Sequence, residues 1–453
     1  MLCCFMYVLS ILGSGCAQIA APTGGVRDTI PPVLLNANPP NHTLNFKGNR
    51  ITLTYDEYVQ LQKLQENLLV SPTPKITPNV ESKLRTVTVR IRDTLEPNTT
   101  YRFDLGNSIA DYNEGNEVKN FSYIFSTGPY IDSLTFSGNV QLAETGKVDT
   151  TLLVFLYKDL DDSAVMKHKP RYITRVNAAG DFTFRNLPPG VYNVYALQDQ
   201  SGQKVYNNRE ELFAFADTTV HVADSTNVVK LFAYAEEKPK PKPVATTTSA
   251  ADKKLKYKTS IEGDRQDLLT PLTIEFNHLL KNFDSLKIQL TDMLFNQYKN
   301  ITVTLDTTRK KVTVQNSWLD NSDYRLIISK NFATDTSGVG LLKPDTIKFK
   351  TKKESDYGSI KLNFKNLEKF KNPVLQFVSN NEVVKSYPLT SAVWSAKLFN
   401  PGDYELRILE DANENGVWDP GNYHLKSQPE KAYAIPQKLN IKANWDNERD
   451  IIL

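Results

Sequence analysis

Two stretches of this 453-residue chain decide its organisation: LEPNTTYRFDLGNSIAD, Leu95–Asp111, and LDNSDYRLIISKNFATD, Leu319–Asp335. Each begins with a turn, continues through a Tyr-Arg strand and a polar break, and ends in an Asp that closely follows an Ala. The Tyr-Arg pairs are 223 residues apart. A second pair, LPPGVYNVYALQD (Leu187–Asp199) and FNPGDYELRILED (Phe399–Asp411), recurs at 212 residues. Self-similarity of this kind predicts a repeated pair of domains, in the order A-B, linker, A-B.

The pattern inside the first block predicts short β-strands. RITLTYDEYV, RTVTVRI, TYRFDL and FSYIFST alternate apolar and polar residues, and the turn clusters NPPN and EPNT separate such runs. Period-two alternation is typical of strands with one buried face. About seven strands in about 100 residues favour an Ig-like sandwich. We therefore predict an all-β chain of tandem β-sandwich domains in two repeated pairs.

The predicted domain boundaries follow the turn clusters and one stretch of linker composition. EEKPKPKPVATTTSAADKK joins a stiff Lys-Pro run to a flexible Thr/Ser/Ala run, and we expect it to set the reach of the flanking domains. The predicted segments are a signal peptide, 1–15, a lipidated cysteine and tether, 16–30, domain A1, 31–129, domain B1, 130–235, a linker, 236–255, domain A2, 256–353, and domain B2, 354–453.

The cysteines indicate export. All three, Cys3, Cys4 and Cys16, lie in the first sixteen residues, so the rest of the chain can form neither disulfides nor cysteine metal sites. The apolar start is too short to span a membrane and is typical of a secretory signal. The net charge of +3 gives no basic stripe for nucleic acid. An ordinary cleaved signal and a lipid-attachment signal both fit this start.

The residues before Cys16 resemble a bacterial lipobox. Ser14 and Gly15 precede the cysteine directly, whereas the usual leucine stands one place early, at Leu12. No Lys or Arg precedes the apolar run, which a misplaced start codon would explain. The resemblance implies that Cys16 becomes the lipidated first residue of the mature protein, which would anchor the chain to a membrane without spanning it.

The blocks themselves resemble known domain families. Through DTIPPVLL, NRITLTYDEYV, LEPNTTYRF and YIFSTG, the A blocks look like the bacterial Ig-like domain of the surface-layer (SbsA) type. Through GDFTFRNLPPGVYNVYALQD and NPGDYELRILEDANENGVWD, the B blocks are similar to prealbumin-like or carboxypeptidase-regulatory-like domains. With APTGGVRDTIPP just after Cys16, the whole resembles Ig-like lipoproteins of the Bacteroidetes group. This resemblance implies spacer and binding domains without catalytic residues.

No motif in the sequence predicts an enzyme. The five histidines are scattered, and no nucleophile elbow, phosphate loop or dinucleotide fingerprint occurs. Asp159, Asp161 and Asp162 lie together, but the sequence gives them no partner for acid–base chemistry, so a charged loop is the interpretation. We expect no catalytic residue and no cofactor other than the ion considered next.

The loop DANENGVWD is the candidate metal site. Asp411, Asn413, Asn415 and Asp419 fall at positions 1, 3, 5 and 9 of the calcium-loop pattern, and the carbonyl of Val417 would be a fifth ligand. Position 12 is an asparagine where a glutamate would complete the pattern. The alternative is a turn in which Asp and Asn side chains cap backbone amides. The corresponding B1 loop, QDQSGQKVYNNREEL, has lost the alternating Asp/Asn pattern, so a structural calcium would serve B2 alone.

Aromatic residues offer a second binding hypothesis. Trp394, Trp418 and Trp445 all lie in domain B2, where they would form either core and turn packing or a glycan-binding surface. The predicted function is a non-enzymatic, lipid-anchored scaffold or adhesion module with a protein partner in the envelope. It would lie at the outer membrane, on the cell surface or the periplasmic face. The alternative is a carbohydrate- or peptide-binding accessory lipoprotein of an uptake or assembly complex.

Overall fold

The computed structural model describes residues 27–224, 226–238 and 254–453. The described chain divides into two compact units that are each built from several segments. The first unit contains the chain up to Val140 together with Thr150–Asn207 and Phe215–Leu231. The second contains Gln141–Asp149, Asn208–Ala214 and the chain from Phe232 onwards. Three short segments that precede residue 239 therefore belong to the second unit.

Block A1 has nine strands and one short helix, α1, Leu64–Asn67. The strands are β1 (Leu34–Asn38), β2 (Arg50–Tyr55), β3 (Val59–Leu61), β4 (Leu69–Ser71), β5 (Asn79–Lys83), β6 (Thr86–Arg90), β7 (Thr100–Gly106), β8 (Ile109–Asp111) and β9 (Phe121–Ser126). They form sheets of order β1-β2-β6-β5, β4-β7-β9 and β3-β8. Alternate side chains of β2 and β6 point into one core cluster, as the sequence pattern predicts.

Block B1 has eight strands and one short helix, α2, Ala164–Lys167. The strands are β10 (Leu134–Leu142), β11 (Leu153–Tyr157), β12 (Tyr172–Arg175), β13 (Asp181–Leu187), β14 (Gly190–Leu197), β15 (Phe213–Phe215), β16 (Val220–Val222) and β17 (Val229–Ala233). One sheet has the order β13-β10-β17, and the other has the order β12-β11-β14-β15, with β16 also paired to β14.

Block A2 repeats the sheets of A1. Its strands are β18 (Tyr257–Thr259), β19 (Arg265–Gln266), β20 (Leu272–Phe276), β21 (Leu280–Phe283), β22 (Ile288–Thr291), β23 (Thr302–Leu305), β24 (Lys311–Gln315), β25 (Asp323–Ile328), β26 (Ala333–Asp335) and β27 (Asp345–Thr351). The sheet orders are β18-β20-β24-β23, β19-β27-β25-β22 and β21-β26. Leu255, at the end of the predicted linker, is already buried in this core.

Block B2 likewise repeats B1. Its strands are β28 (Gly358–Lys365), β29 (Pro373–Ser379), β30 (Glu382–Pro388), β31 (Val393–Phe399), β32 (Gly402–Glu410), β33 (Lys431–Ile441) and β34 (Asp446–Ile452). The sheet orders are β31-β28-β34 and β30-β29-β32-β33. Short 3-10 turns at Ser285–Lys287, Glu354–Asp356 and Leu367–Lys369 complete the described helices of the chain. The all-β fold of tandem sandwiches is confirmed.

The repeated motifs recur because each ties a strand to its preceding turn. The buried hydroxyl of Tyr101 accepts a hydrogen bond from the Glu96 N–H at 2.8 Å, and that of Tyr324 accepts one from the Leu319 N–H at 3.1 Å. In the B blocks the Tyr192 and Tyr404 hydroxyls donate to backbone carbonyls four residues earlier, at 3.3 and 3.0 Å. A buried tyrosine needs such a partner for its hydroxyl, which explains why turn and tyrosine recur together.

Candidate functional site

The candidate site is the loop between β32 and β33, and Asp411 organises its start. This carboxylate is 1% exposed and directly follows the last residue of β32. It accepts hydrogen bonds from the Asn415 N–H at 3.2 Å and the Gly416 N–H at 2.6 Å. Gly416 has φ +77°, a left-handed conformation that lets the chain turn back over the carboxylate. The aspartate thus closes the loop on itself.

The two asparagines brace the loop against Asp419. The amide nitrogens of Asn413 and Asn415 each donate to Asp419 Oδ2 at 2.7 Å. Their amide oxygens accept the backbone N–H groups of Asn415 and Val417. The structure therefore brings together the predicted residues Asp411, Asn413, Asn415 and Asp419, while the Val417 side chain points to solvent at 63% exposure. The loop has the self-capping geometry of the alternative interpretation.

Glu430 also belongs to this site, although the sequence analysis does not include it. Its carboxylate accepts hydrogen bonds from the Ala412 N–H at 2.7 Å and the Asp419 N–H at 3.1 Å, so it joins the two ends of the loop. Burial raises the pKa of Glu430 above its ordinary value, and the nearby carboxylates of Asp411 and Asp419 raise it further. The pairing of Glu410 with Lys431 across β32 and β33 places Glu430 there.

A calcium ion in this loop would depend on amide oxygens. Within the part of the chain that the structure describes, no three His, Cys, Asp or Glu side chains are grouped so that they could hold a metal ion. Calcium takes six to eight oxygens, so the amide oxygens of Asn413 and Asn415 and a backbone carbonyl would have to contribute. Both amide groups would then rotate and give up their bonds to Asp419. The residue types fit a hard cation, and the hydrogen bonds compete with it.

The corresponding loop of B1 keeps only part of this arrangement. Asp199 is partly exposed and accepts the Lys204 N–H at 3.1 Å, and Gly202 has φ +71°. Glu211 precedes β15 as Glu430 precedes β33, and it is 3% exposed. A glutamate ahead of the returning strand, buried in B1 and half-buried in B2, is therefore common to both copies. Aligning the two repeats at this strand is the signal that would have identified Glu430.

The remaining candidate residues have separate surroundings. Cys16, the predicted lipidation site, lies outside the described residues. Trp394 packs on Phe377 in the core of B2, and the Trp418 indole N–H donates to the Glu430 carbonyl at 2.7 Å. Trp445 is 62% exposed, with Lys442 over its ring. Two of the three tryptophans therefore serve packing within B2.

In the charged loop of B1, hydrogen bonds from neighbouring residues also occupy the carboxylates of Asp159 and Asp161. Asp159 accepts the Asp161 N–H at 3.1 Å, and Asp161 accepts the Ser163 N–H and hydroxyl at 2.7 and 2.6 Å. Hydrogen bonds from neighbouring backbone and hydroxyl groups are typical of a capped turn.

For membrane association, none of the helices that the structure describes has the length and hydrophobicity of a membrane-spanning segment.

Comparison with known proteins identifies one domain family. Residues 28–127 match the family model described as the bacterial Ig-like domain. No curated protein sequence matches the chain. Among solved structures, the chain is similar to the Escherichia coli alpha-2-macroglobulin fragment spanning domains MG0-NIE-MG1, with 10% identity, a TM-score of 0.20, and coverage of 40% of this chain and 71% of that one.

Two further similarities are to a pilin subunit and to a domain of a biofilm-associated protein. The Bacillus cereus major pilin subunit BcpA has 11% identity and a TM-score of 0.18, with coverage of 70% of this chain and 99% of that one. The BSP domain of a biofilm-associated protein has 8% identity and a TM-score of 0.16, with coverage of 94% and 99%. At these TM-scores the similarities carry no functional argument. The Ig-like match is therefore what the comparisons contribute.

Proposed function

We propose that this protein is a non-enzymatic, lipid-anchored scaffold of the cell envelope. The observation that carries the proposal is the order of its parts: a cysteine in a lipobox-like context at position 16, followed by repeated β-sandwich blocks. The Ig-like match over residues 28–127 supports a structural role for the first block. A lipid at Cys16 would hold one end at the outer membrane, and the sandwiches would present binding surfaces to a protein partner.

Fractionation tests the anchor. Cys16→Ser removes the only sulfur that can be acylated at the cleavage site, and it should move the protein from the membrane fraction to the soluble fraction. Mass spectrometry of the wild-type N-terminus should show an acylated Cys16. An ordinary signal peptide would instead leave the distribution unchanged in the variant and a free N-terminus in the wild type, and either result would refute the anchor.

A pull-down tests the scaffold role. The native lipidated protein, purified from detergent-solubilised envelope, should bring down a defined protein complex. A matched Cys16→Ser preparation controls for partners that bind lipid or detergent. Recovery of no partner, together with binding to a glycan array, would instead favour the carbohydrate-binding alternative, for which exposed Trp445 is the first residue to substitute.

We also propose that calcium stabilises the Asp411 loop locally. Four side chains in the loop carry oxygens at calcium-loop spacing, and Glu430 adds a carboxylate at its base. The B1 counterpart folds around a single, partly exposed aspartate, so the ion would be an elaboration of one copy. Its role would be stability of B2, separate from partner binding.

A further inference from the structure

The outer face of the B2 sheet is covered by residues from much earlier in the chain. Along β32, Tyr404, Leu406 and Ile408 point into the B2 core. The intervening residues face the other way, and Arg407 on that outer face is only 2% exposed. Gln376, its register partner on β29, is also 2% exposed. Polar side chains on the outer face of a sandwich normally contact water, so their burial indicates a specific cover.

The main cover is the turn that follows β10. The Ala432 N–H donates to the Ala143 carbonyl at 2.7 Å, which is a direct backbone hydrogen bond. The Arg407 guanidinium donates to the Glu144 carbonyl at 3.4 Å, and Lys147 forms an ion pair with Glu405 at 2.8 Å. Each contact either pairs a hydrogen-bond donor with an acceptor or pairs two opposite charges, so the turn and the sheet are chemically complementary.

Two further segments complete the contact. Glu236, whose side chain is 5% exposed, accepts the Tyr423 N–H at 2.9 Å. The Tyr423 ring packs edge-on against Phe213, with 5.1 Å between the ring centroids. Lys431 lies over the ring of Phe232 at 4.6 Å. These residues, like those of the turn, all belong to the second unit.

Backbone approach makes this contact sensitive to shape. A Cβ atom on Gly146 would lie 2.7 Å from the Ala434 nitrogen and 2.8 Å from the Ala432 oxygen, which is closer than side-chain carbons normally come to other atoms. Both obstructing atoms are backbone atoms of β33, so no side-chain rotation can relieve the clash. The contact therefore combines close backbone packing and hydrogen bonds with a partly exposed charge pair, as the core and the polar rim of a protein–protein interface do.

We propose that the outer face of the B2 sheet is a docking surface for three segments of the first half of the same chain, 141–149, 208–214 and 232–238. Docking holds the two halves together without help from the covalent connection through 239–253. That connection then joins two halves that already bind each other, and it does not determine how far the second half extends from the first. The first half is thus the protein partner that this face recognises.

Cleavage of the full chain between the halves tests the proposal. A site-specific protease sequence is inserted within 239–253, the protein is cut, and the products are followed by size-exclusion chromatography with light scattering over a dilution series. We expect the two fragments to co-migrate at the mass of one chain. Fragments that separate at every concentration would overturn the proposal. Co-migration at twice that mass would also overturn it, because docking would then join two copies.

Matched glycine substitutions distinguish docking from general association. Gly146→Ala should raise the dissociation constant of the cut halves about tenfold or more. Gly202→Ala is the control, since Gly202 has a similar φ, +71° against +65°, but no atom lies within 4 Å of an added Cβ. The control should leave the affinity unchanged. Equal weakening by both variants would attribute the effect to turn strain and refute the contact.

A charge exchange provides a second measurement that does not depend on backbone strain. Lys147→Glu places two carboxylates together and should weaken association about two- to fivefold, the range of a partly exposed ion pair. Adding Glu405→Lys restores opposite charges and should recover most of the loss. A double variant that is no better than Lys147→Glu alone would contradict the ion pair as part of the docking surface.

Discussion

The loops after β14 and β32 occupy the same place in two copies of one domain, yet different sets of side chains stabilise the two turns. In both copies an aspartate follows the strand and a glycine takes a left-handed φ. The B1 aspartate, Asp199, is partly exposed, whereas Asp411 of B2 is 1% exposed, and a second carboxylate, Glu430, accepts backbone N–H groups of the same loop. The shared turn therefore needs only one aspartate and one glycine. The added Asp/Asn residues of B2, together with Glu430, supply further hydrogen bonds that hold its loop more tightly than the B1 loop.

The largest expected difference between the loops is the effect of removing the aspartate. Asp411→Ala removes the charged acceptor of two part-buried backbone hydrogen bonds and should lower the free energy of unfolding of B2 by about 1 to 3 kcal/mol. Asp199→Ala should cost B1 less than about 1 kcal/mol, because water can replace the lost acceptor. Amide hydrogen exchange of β32 and of β14, followed over a urea series, reports B2 and B1 separately, whereas tryptophan fluorescence would also report Trp318 of A2. Equal losses would remove the distinction between the loops.

Calcium should also separate the two copies. If the ion binds the Asp411 loop, free calcium at ten times its dissociation constant stabilises B2 by about 1.4 kcal/mol and leaves B1 unchanged. Thermal melts with calcium and with a chelator measure this, and a difference of several degrees in the B2 transition is expected. Asp419→Ala removes a ligand and should abolish the response. Identical melts in calcium and chelator would refute the calcium site.

Replacing the glycines should affect the stability of the two loops equally. Gly416 and Gly202 have φ values of +77° and +71°, and an added Cβ at either position would meet no atom within 4 Å. Alanine at either site is strained by backbone conformation alone, so each substitution should cost about 1 kcal/mol. The same urea and hydrogen-exchange measurements apply. A much larger cost at Gly416 would show that the B2 loop constrains its glycine beyond the shared turn.

The sequence predicts the fold and the local part of the site because both depend on short-range patterns. Alternation along Arg50–Tyr55 and its counterparts determines which face is buried, and the repeated turn-plus-tyrosine motif marks each A block. The spacing of Asp411, Asn413 and Gly416 likewise predicts a capped turn. These features need only neighbours within a few residues.

What the sequence does not predict depends on long-range register. Glu430 reaches the loop because Lys431 pairs with Glu410, and no local pattern specifies that register. Arg407 is buried by a turn 263 residues away, although its position in an outward-facing series would suggest solvent. A comparison of the two B copies would have identified Glu430 through Glu211. No comparison within the sequence identifies the partner of Arg407.

The smallest expected effect is the response of the loops to pH, and it isolates Glu430. A raised pKa in the folded state means that folded B2 binds this proton more tightly than the unfolded chain does. The group therefore favours folding at low pH, and that contribution is lost as pH rises from the ordinary glutamate value of about 4.3 through the raised value. Glu430→Gln removes the titrating group, so the stability of the variant relative to the wild type should fall as the solution is acidified from neutral pH. The B1 transition should be the same in both proteins at each pH and serves as the internal reference. Parallel B2 profiles for wild type and variant would show that the Glu430 carboxylate is not what distinguishes the B2 loop from its B1 counterpart.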